Sequence, residues 1–352
     1  MWIYCSSCDP AKVGDKRGYI LPEKGWNLSP YNYVAVQVKT VGVLFLDKEQ
    51  IEYRNAGSPC YSQISAGTDF HSSCNFCGSG GDSIWSDGRY EALKCKNCGV
   101  IWVSPQPDFQ DLSHLYSRDY FEKYYLKYEK ERKDYFRQRL EEIEQIICSI
   151  KSSTASMLMD THSPQLLDIG CGVGFFLEVA REKGWMVEGI EISQFALEYC
   201  RNRGFSVYPA EYMQILSAGM FDLITMWDVL AHLTSPGEYL KKIRVLLREG
   251  GLFVIKTPDH PSRLFKIAGI ASLFGPAKGL LHIPAQIYHF EPENLKKNLE
   301  KFGFKVIAIK RIREAIKGGW TPSKFKNFLI KSFNIFTKSI GIGESFIIYA
   351  LK

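Results

Sequence analysis

From about residue 161 to the end of the chain, short apolar runs alternate with segments whose apolar positions recur every three or four residues. The runs "QLLDI", "MVEGIE", "FSVYP", "FDLITMWDV" and "LFVIKTPD" predict five strands, and "FKVIAIKRI" and "SFIIYALK" two more. Helices are predicted through "FFLEVAREK" to Gly184, and through "QFALEYCRNR" with Ser193 as N-cap and Gly204 just past its end. Two more are predicted at "PGEYLKKIRVLLREGG", ending in its glycines, and at "ENLKKNLEKFG". Strands alternating with helices imply a mostly parallel sheet with helices on both faces, a doubly wound α/β fold.

The pattern differs upstream. Residues 1–66 hold one β-like run, "YVAVQVKTVGVLFLD", and otherwise match no familiar arrangement. Residues 67–108 are rich in Cys, Gly and Ser. Residues 109–160 form a helical connector dense in aromatics and charges, closed by a polar linker, and 161–352 form the α/β domain. The 352 residues carry 44 Lys and Arg against 38 Asp and Glu, a net charge of +6. That is below what a dedicated nucleic-acid binder usually shows. No apolar run reaches membrane-spanning length and the N-terminus lacks the layout of a secretory signal, so a cytoplasmic protein is expected.

"LLDIGCGVGFFLEVA" places Gly170, Gly172 and Gly174 between the first strand and the first helix of the α/β domain. Glycines there let a ligand approach the backbone, and backbone N–H groups are expected to touch it. Glu191 ends the second strand, where an acid can receive a ribose diol. Two details separate this turn from a dinucleotide site. The spacing is G-x-G-x-G rather than G-x-G-x-x-G, and Asp168 stands where a pyrophosphate would be repelled. A cofactor with an ammonium group and no phosphate fits better.

At this point residues 161–352 resemble the class I S-adenosylmethionine-dependent methyltransferases. The resemblance implies a Rossmann-like seven-stranded sheet with a terminal antiparallel strand. It implies cofactor contacts from Asp168, Gly170, Gly172, Gly174, Glu191 and the neighbouring Ile192, with Glu211 nearest to an adenine-contacting acid. The family usually has Glu-His-Leu after the fourth strand, where this chain has Ala231-His232-Leu233.

Cys74, Cys77, Cys95 and Cys98 form C-x2-C-x17-C-x2-C, with a glycine after each pair. Two such turns close a tetrahedral four-cysteine zinc site, and a closed shell implies a structural metal. A subset of small-molecule methyltransferases carries a similar N-terminal ribbon. Cys5 and Cys8 form a further C-x-x-C with no second pair nearby, and no metal is expected there.

Methyl transfer from a sulfonium needs an aligned acceptor, and a base if the acceptor is a hydroxyl or an acidic carbon. His289 in "YHFEPENL" is favoured as that base over His232, which is read as a loop anchor; His282 is a weaker candidate, and Asp228 could touch either cofactor or acceptor. The fourth strand is followed by neither an Asn/Asp-Pro-Pro-Tyr run nor a Pro-Cys pair, so methylation of amide or base nitrogens and of cytosine carbon is disfavoured. An oxygen or carbon of a small molecule (glycan, lipid or quinone-like) is the expected acceptor. The competing functions are an RNA-directed methyltransferase using the ribbon, a non-catalytic cofactor-binding scaffold, and a nicotinamide oxidoreductase, the last disfavoured by glycine spacing. Residues 261–290 and 322–341 are apolar and basic, suited to a lid and packing helix or to peripheral contact with an anionic membrane.

Overall fold

The computed structural model describes residues 73–107, 116–153, 163–271, 281–312 and 345–352, together with the backbone of two strands at 33–38 and 42–47. The chain divides into Met1–Ile64 and Ser65–Lys352. In the first unit, β1 (Tyr33–Val38) and β2 (Gly42–Asp47) pair antiparallel, Tyr33 opposite Asp47 and Val38 opposite Gly42. The Cys5 and Cys8 pair and the basic segment 322–341 lie outside the described residues.

The second unit opens with β3 (Gly81–Ser86), β4 (Glu91–Cys95) and β5 (Ile101–Ser104). Helices α1 (Arg118–Tyr124) and α2 (Glu129–Ser153) follow. The α/β part then runs β6 (Gln165–Ile169), α3 (Phe175–Glu182), β7 (Met186–Ile190), α4 (Gln194–Asn202), β8 (Ser206–Tyr208) and β9 (Phe221–Trp227). It continues with α5 (Pro236–Leu246), β10 (Leu247–Pro258), α6 (Ser262–Ala271), β11 (Tyr288–His289), α7 (Pro292–Lys301), β12 (Lys305–Ile312) and β13 (Ser345–Leu351).

Seven strands form one sheet in the order β12-β13-β10-β9-β6-β7-β8. The run from β10 to β8 is parallel, and β13 lies antiparallel between β10 and β12. Chain order reverses between β6 and β9, so the crevice for a ligand opens at their carboxyl ends. Leu166 and Leu167 of β6 and Phe176 and Leu177 of α3 are fully buried. Each such side chain contributes about 1.5–3 kcal/mol. Helix α2 joins this core through Leu140 and Ile143, and its Lys133 pairs with Glu178 of α3 at 2.6 Å.

One boundary departs from the pattern. Helix α5 stops at Leu246, short of the glycines expected to end it. Gly250 and Gly251 lie inside β10, where the register against β9 shifts between Leu247 and Leu252. The register shift shows that the pair serves a bulge rather than a helix cap, with Gly250 taking φ +74°.

The Cys-rich segment builds a separate four-stranded sheet, ordered β11-β5-β4-β3. Its edge strand β11 comes from the loop after β10, with Tyr288 opposite Trp102 and His289 opposite Ile101. Leu264, Phe265 and Ala268 of α6 pack into the same cluster as Trp85, Tyr90, Ala92, Ile101 and Val103. The apolar side of α6 is therefore covered by the ribbon.

Candidate active site

The glycine turn is held by hydrogen bonds within the protein. Gly170 N–H and Cys171 N–H donate to the Ile190 carbonyl at 2.7 and 3.1 Å, and Gly174 N–H to the Cys171 carbonyl at 3.0 Å. Gly172 N–H donates to Glu191 Oε2 at 2.7 Å. These four N–H groups are engaged within the protein, and the groups beside them include acceptors, the Asp168 carboxyl and peptide carbonyls. That favours an ammonium over a pyrophosphate.

The three glycines have different reasons. A Cβ on Gly170 would lie 2.3 Å from Val229 Cγ2, and one on Gly174 2.9 Å from the Cys200 sulfur. Both have positive φ, at 74° and 77°. A Cβ on Gly172 would instead meet the Phe121 and Tyr125 rings at 3.6 and 3.8 Å, both of which line a cavity. Gly172 too has positive φ, at 54°; beyond that shared conformation, close packing constrains the outer two glycines and the space beside the two rings the middle one.

Two cavities meet at this turn. One, of about 170 Å³, is lined by Gly170, Gly172, Glu191 and Ile192 and covered by Tyr116, Tyr120, Phe121 and Tyr125 from the segment around α1. His232 also lines it. The other, of about 650 Å³, is lined by Asp168, Tyr135, Phe136, Trp227 and a set of cations. Tyr125, Gly170, Gly172, Trp227 and Asp228 line both. Motif reading misses the tyrosine cover, though the aromatic density of "LYSRDYFEKYY" is its signal.

Asp168 is buried, and Thr225 Oγ donates to its Oδ1 at 2.6 Å. Burial pushes its carboxyl up to about 8, with the Thr225 bond opposing and the Glu191 charge adding. Glu191 is buried too, and burial raises it as well. It accepts from Gly172 N, Ile192 N and Ser193 N, so three of its roughly four acceptor positions serve the backbone. Glu211 stands exposed in the short turn after β8 and lines neither cavity; Ala210 beside it lines the smaller one.

Asp228 follows β9 with φ 59°, a left-handed conformation uncommon for a non-glycine residue. Its Oδ2 accepts from buried Lys256 Nζ at 2.5 Å, and its Oδ1 has no partner among the described residues. This conformation sits at the junction of the two cavities.

The two histidines are not equivalent. His232 Nδ1 lies 2.6 Å from the Ala285 carbonyl. A carbonyl only accepts, so Nδ1 carries the proton and Nε2 is left with its lone pair. Burial holds His232 below the usual histidine range, against the Ala285 bond and the Asp228 charge. His289 is fully buried, 3.2 Å from His260 between the two Nδ1 atoms and edge-on to Phe265. It lines neither cavity, because β11 directs it into the ribbon sheet. Of the two, His232 alone lines one of these cavities. His282, exposed at φ 54°, also lines neither cavity.

The four ribbon cysteines converge, with their sulfur atoms all within 4.8 Å of one another. Cys74 and Cys98 are 3.5 Å apart, Cys77 and Cys95 3.4 Å. Four thiolates at about 2.3 Å from zinc would stand about 3.8 Å apart, so the set fits that ion. Phe76, between the first two cysteines, packs edge-on against Tyr288, Phe290 and Phe302. Asn75 Nδ2 donates to the Thr234 carbonyl at 2.9 Å.

A Rossmann-like sheet with an inserted antiparallel strand, an acid-x-Gly-x-Gly-x-Gly turn and an acid ending the next strand define a nucleoside-binding α/β domain of the methyltransferase class. Residues 128–309, just over half the chain, match the methyltransferase-domain family. The protein belongs to that family, as a class I S-adenosylmethionine-dependent member. It is 31% identical over 116 residues to a ubiquinone biosynthesis O-methyltransferase of Caulobacter sp. (strain K31), covering 31% of this chain and 46% of that protein. The protein of the same name from Coxiella burnetii (strain Dugway 5J108-111) is 27% identical over 153 residues, covering 41% of this chain and 64% of that protein. The matches thus span less than two thirds of these relatives. A crystallised S-adenosylmethionine-dependent methyltransferase from Archaeoglobus fulgidus superposes with a TM-score of 0.43 at 21% identity, over 65% of this chain and 99% of that one.

Proposed function

We propose that this protein methylates an oxygen or carbon of a small molecule, using S-adenosylmethionine, and that its ribbon is closed by a structural zinc. The observation that carries the reading is the pair of cavities meeting at Trp227 and Asp228, beside a turn that offers acceptors. The smaller cavity suits the nucleoside, with Glu191 and Ile192 at the ribose and the α1 tyrosines over it. Asp168 is placed for the ammonium. Arg132, stacked 4.0 Å over Tyr125, is placed for the carboxylate.

The cofactor supplies a methyl group on a positively charged sulfur, open to in-line attack. The protein's part is positioning and proton removal. His232 Nε2, neutral and unprotonated at pH 7, is the base we assign, in place of His289. Asp228, paired with Lys256, is the group we assign to orient an acceptor hydroxyl.

The O-methyltransferase names of the relatives support oxygen as the acceptor atom. An RNA substrate is disfavoured by the ribbon's main cations: Lys94 donates to Ser262 and Lys96 pairs with Asp82. Titration calorimetry tests the reading. S-adenosylhomocysteine should bind and NAD should not; binding of NAD with rejection of S-adenosylhomocysteine would overturn it.

A further inference from the structure

The larger cavity carries more than methyl transfer to a neutral ring requires. Its wall includes Arg139, Lys310 and Arg311, none of which lines the smaller cavity, in addition to Arg132 and Lys256. Tyr128, Tyr135, Phe136, Phe175 and Trp227 supply much of the remaining surface. Cations set among aromatic rings recognise an anion attached to an apolar or aromatic body.

Arg139 is the centre of this end. It is buried at 8% exposure and lies 5.1 Å over the Tyr135 ring. One arm of its guanidinium reaches Glu142 at 2.9 Å, while its Nε donor has no partner among the described residues. The Glu142 contact thus leaves the charge of a buried guanidinium incompletely paired beside the cavity. Lys310 shares Glu142, at 2.5 Å, so one carboxylate serves two cations. Arg311 reaches Asp259 at 3.3 Å with more than half its side chain exposed. Among the described residues, the acids lining the cavity do not pair with this group. Asp228 belongs to Lys256, Asp168 is buried at the turn against Thr225, and Glu131 is exposed.

We propose that Arg139, Lys310 and Arg311 form an anion subsite, so that the methyl acceptor carries a phosphate or carboxylate on an apolar or aromatic body. The inference rests on the methyl-transfer reading and narrows it. The anion sits among the cations, the body lies against Tyr135, Phe136 and Trp227, and the atom to be methylated points toward Asp228.

The test uses the full chain saturated with S-adenosylhomocysteine, titrated with 3,4-dihydroxybenzoate, its neutral isostere 3,4-dihydroxybenzamide, and phenyl phosphate. At least one anion should bind about tenfold or more tightly than the amide. Which anion is preferred distinguishes carboxylate from phosphate. Arg139→Gln should bring the ratio to within about threefold while leaving S-adenosylhomocysteine affinity unchanged. Because Arg139 is buried, the double variant Lys310→Gln/Arg311→Gln, on the more exposed strand β12, provides an independent reading and should reduce the ratio in the same direction. Equal binding of anions and amide, no binding of any probe, or an anion preference that survives both variants overturns the subsite. Failure of the unaltered protein to bind S-adenosylhomocysteine would instead remove the methyl-transfer reading beneath it.

Discussion

Gly172 and Glu191 are joined by a 2.7 Å hydrogen bond from the glycine N–H to the carboxylate. Together with the Gly170 and Cys171 bonds to Ile190, it ties the turn after β6 to the end of β7, two walls of the smaller cavity. The same carboxylate accepts from Ile192 and Ser193. Glu191→Ala would leave three donors short of their partner, each worth about 1–3 kcal/mol when buried. The expected outcome is a lowered melting temperature together with weaker S-adenosylhomocysteine binding, read by calorimetry. A stable variant with about tenfold weaker binding would assign Glu191 to the ligand alone.

Gly172→Val should abolish S-adenosylhomocysteine binding, since its side chain enters the cavity against Phe121 and Tyr125, with some loss of stability as well, because a β-branched residue is strained at φ 54°. Gly170→Ala should act differently. Its methyl group meets Val229, and the loss should emerge first in thermal stability. Circular dichroism melts beside titrations separate the two.

Cofactor affinity should rise with pH. Asp168 is pushed up to about 8 by burial, so without ligand it is largely protonated at pH 7 and must lose that proton to meet an ammonium. The sign for stability is the reverse. The folded apo protein holds this proton more tightly than the unfolded chain, so apo stability should fall as pH rises from about 4 to about 8. Titrations with S-adenosylhomocysteine at pH 6 and pH 8 check the first statement, and Asp168→Asn should flatten the dependence.

His232→Ala should lower turnover about a hundredfold or more at pH 7, as for loss of a general base, with a smaller loss of cofactor affinity because His232 also lines the smaller cavity. His289→Phe should leave turnover close to that of the unaltered protein, because His289 lies buried against Phe265 and His260. Rates on any accepted substrate decide this, and equal losses in both variants would return the two histidines to one network.

One zinc per chain is expected, lost in Cys74→Ser or Cys98→Ser. The effect should reach beyond the ribbon, because Phe76 packs on Tyr288 and Asn75 holds the carbonyl of Thr234, close in sequence to His232. Turnover should drop more than cofactor affinity. Elemental analysis and paired kinetic and binding assays measure both.

The strands of the sheet and the glycine turn are legible because burial on both faces writes itself as apolar runs, and because Asp168, the glycines and Glu191 fall at fixed offsets. The places of His289 and Glu211 are not. Nearness to the active edge in sequence order says nothing of which sheet a strand joins, and β11 joins the ribbon. The end of α5 is hidden because Gly250 and Gly251 look alike in a helix cap and in a strand bulge. The cations of the larger cavity are hidden for a similar reason. Arg132 and Arg139 come from α2, Lys310 and Arg311 from β12, and only packing brings them together.

The pairing of β11 with β5 has a consequence for biosynthesis. The ribbon's cysteines leave the ribosome early, yet the strand that completes its sheet is made only after β10 and the segment beyond it. Closing that pairing is a long-range step, slow compared with the local knuckle turns. The ribbon and the α/β domain therefore mature together, and a fragment cut between them would leave one edge of β5 bare and the Tyr288 face without its cover.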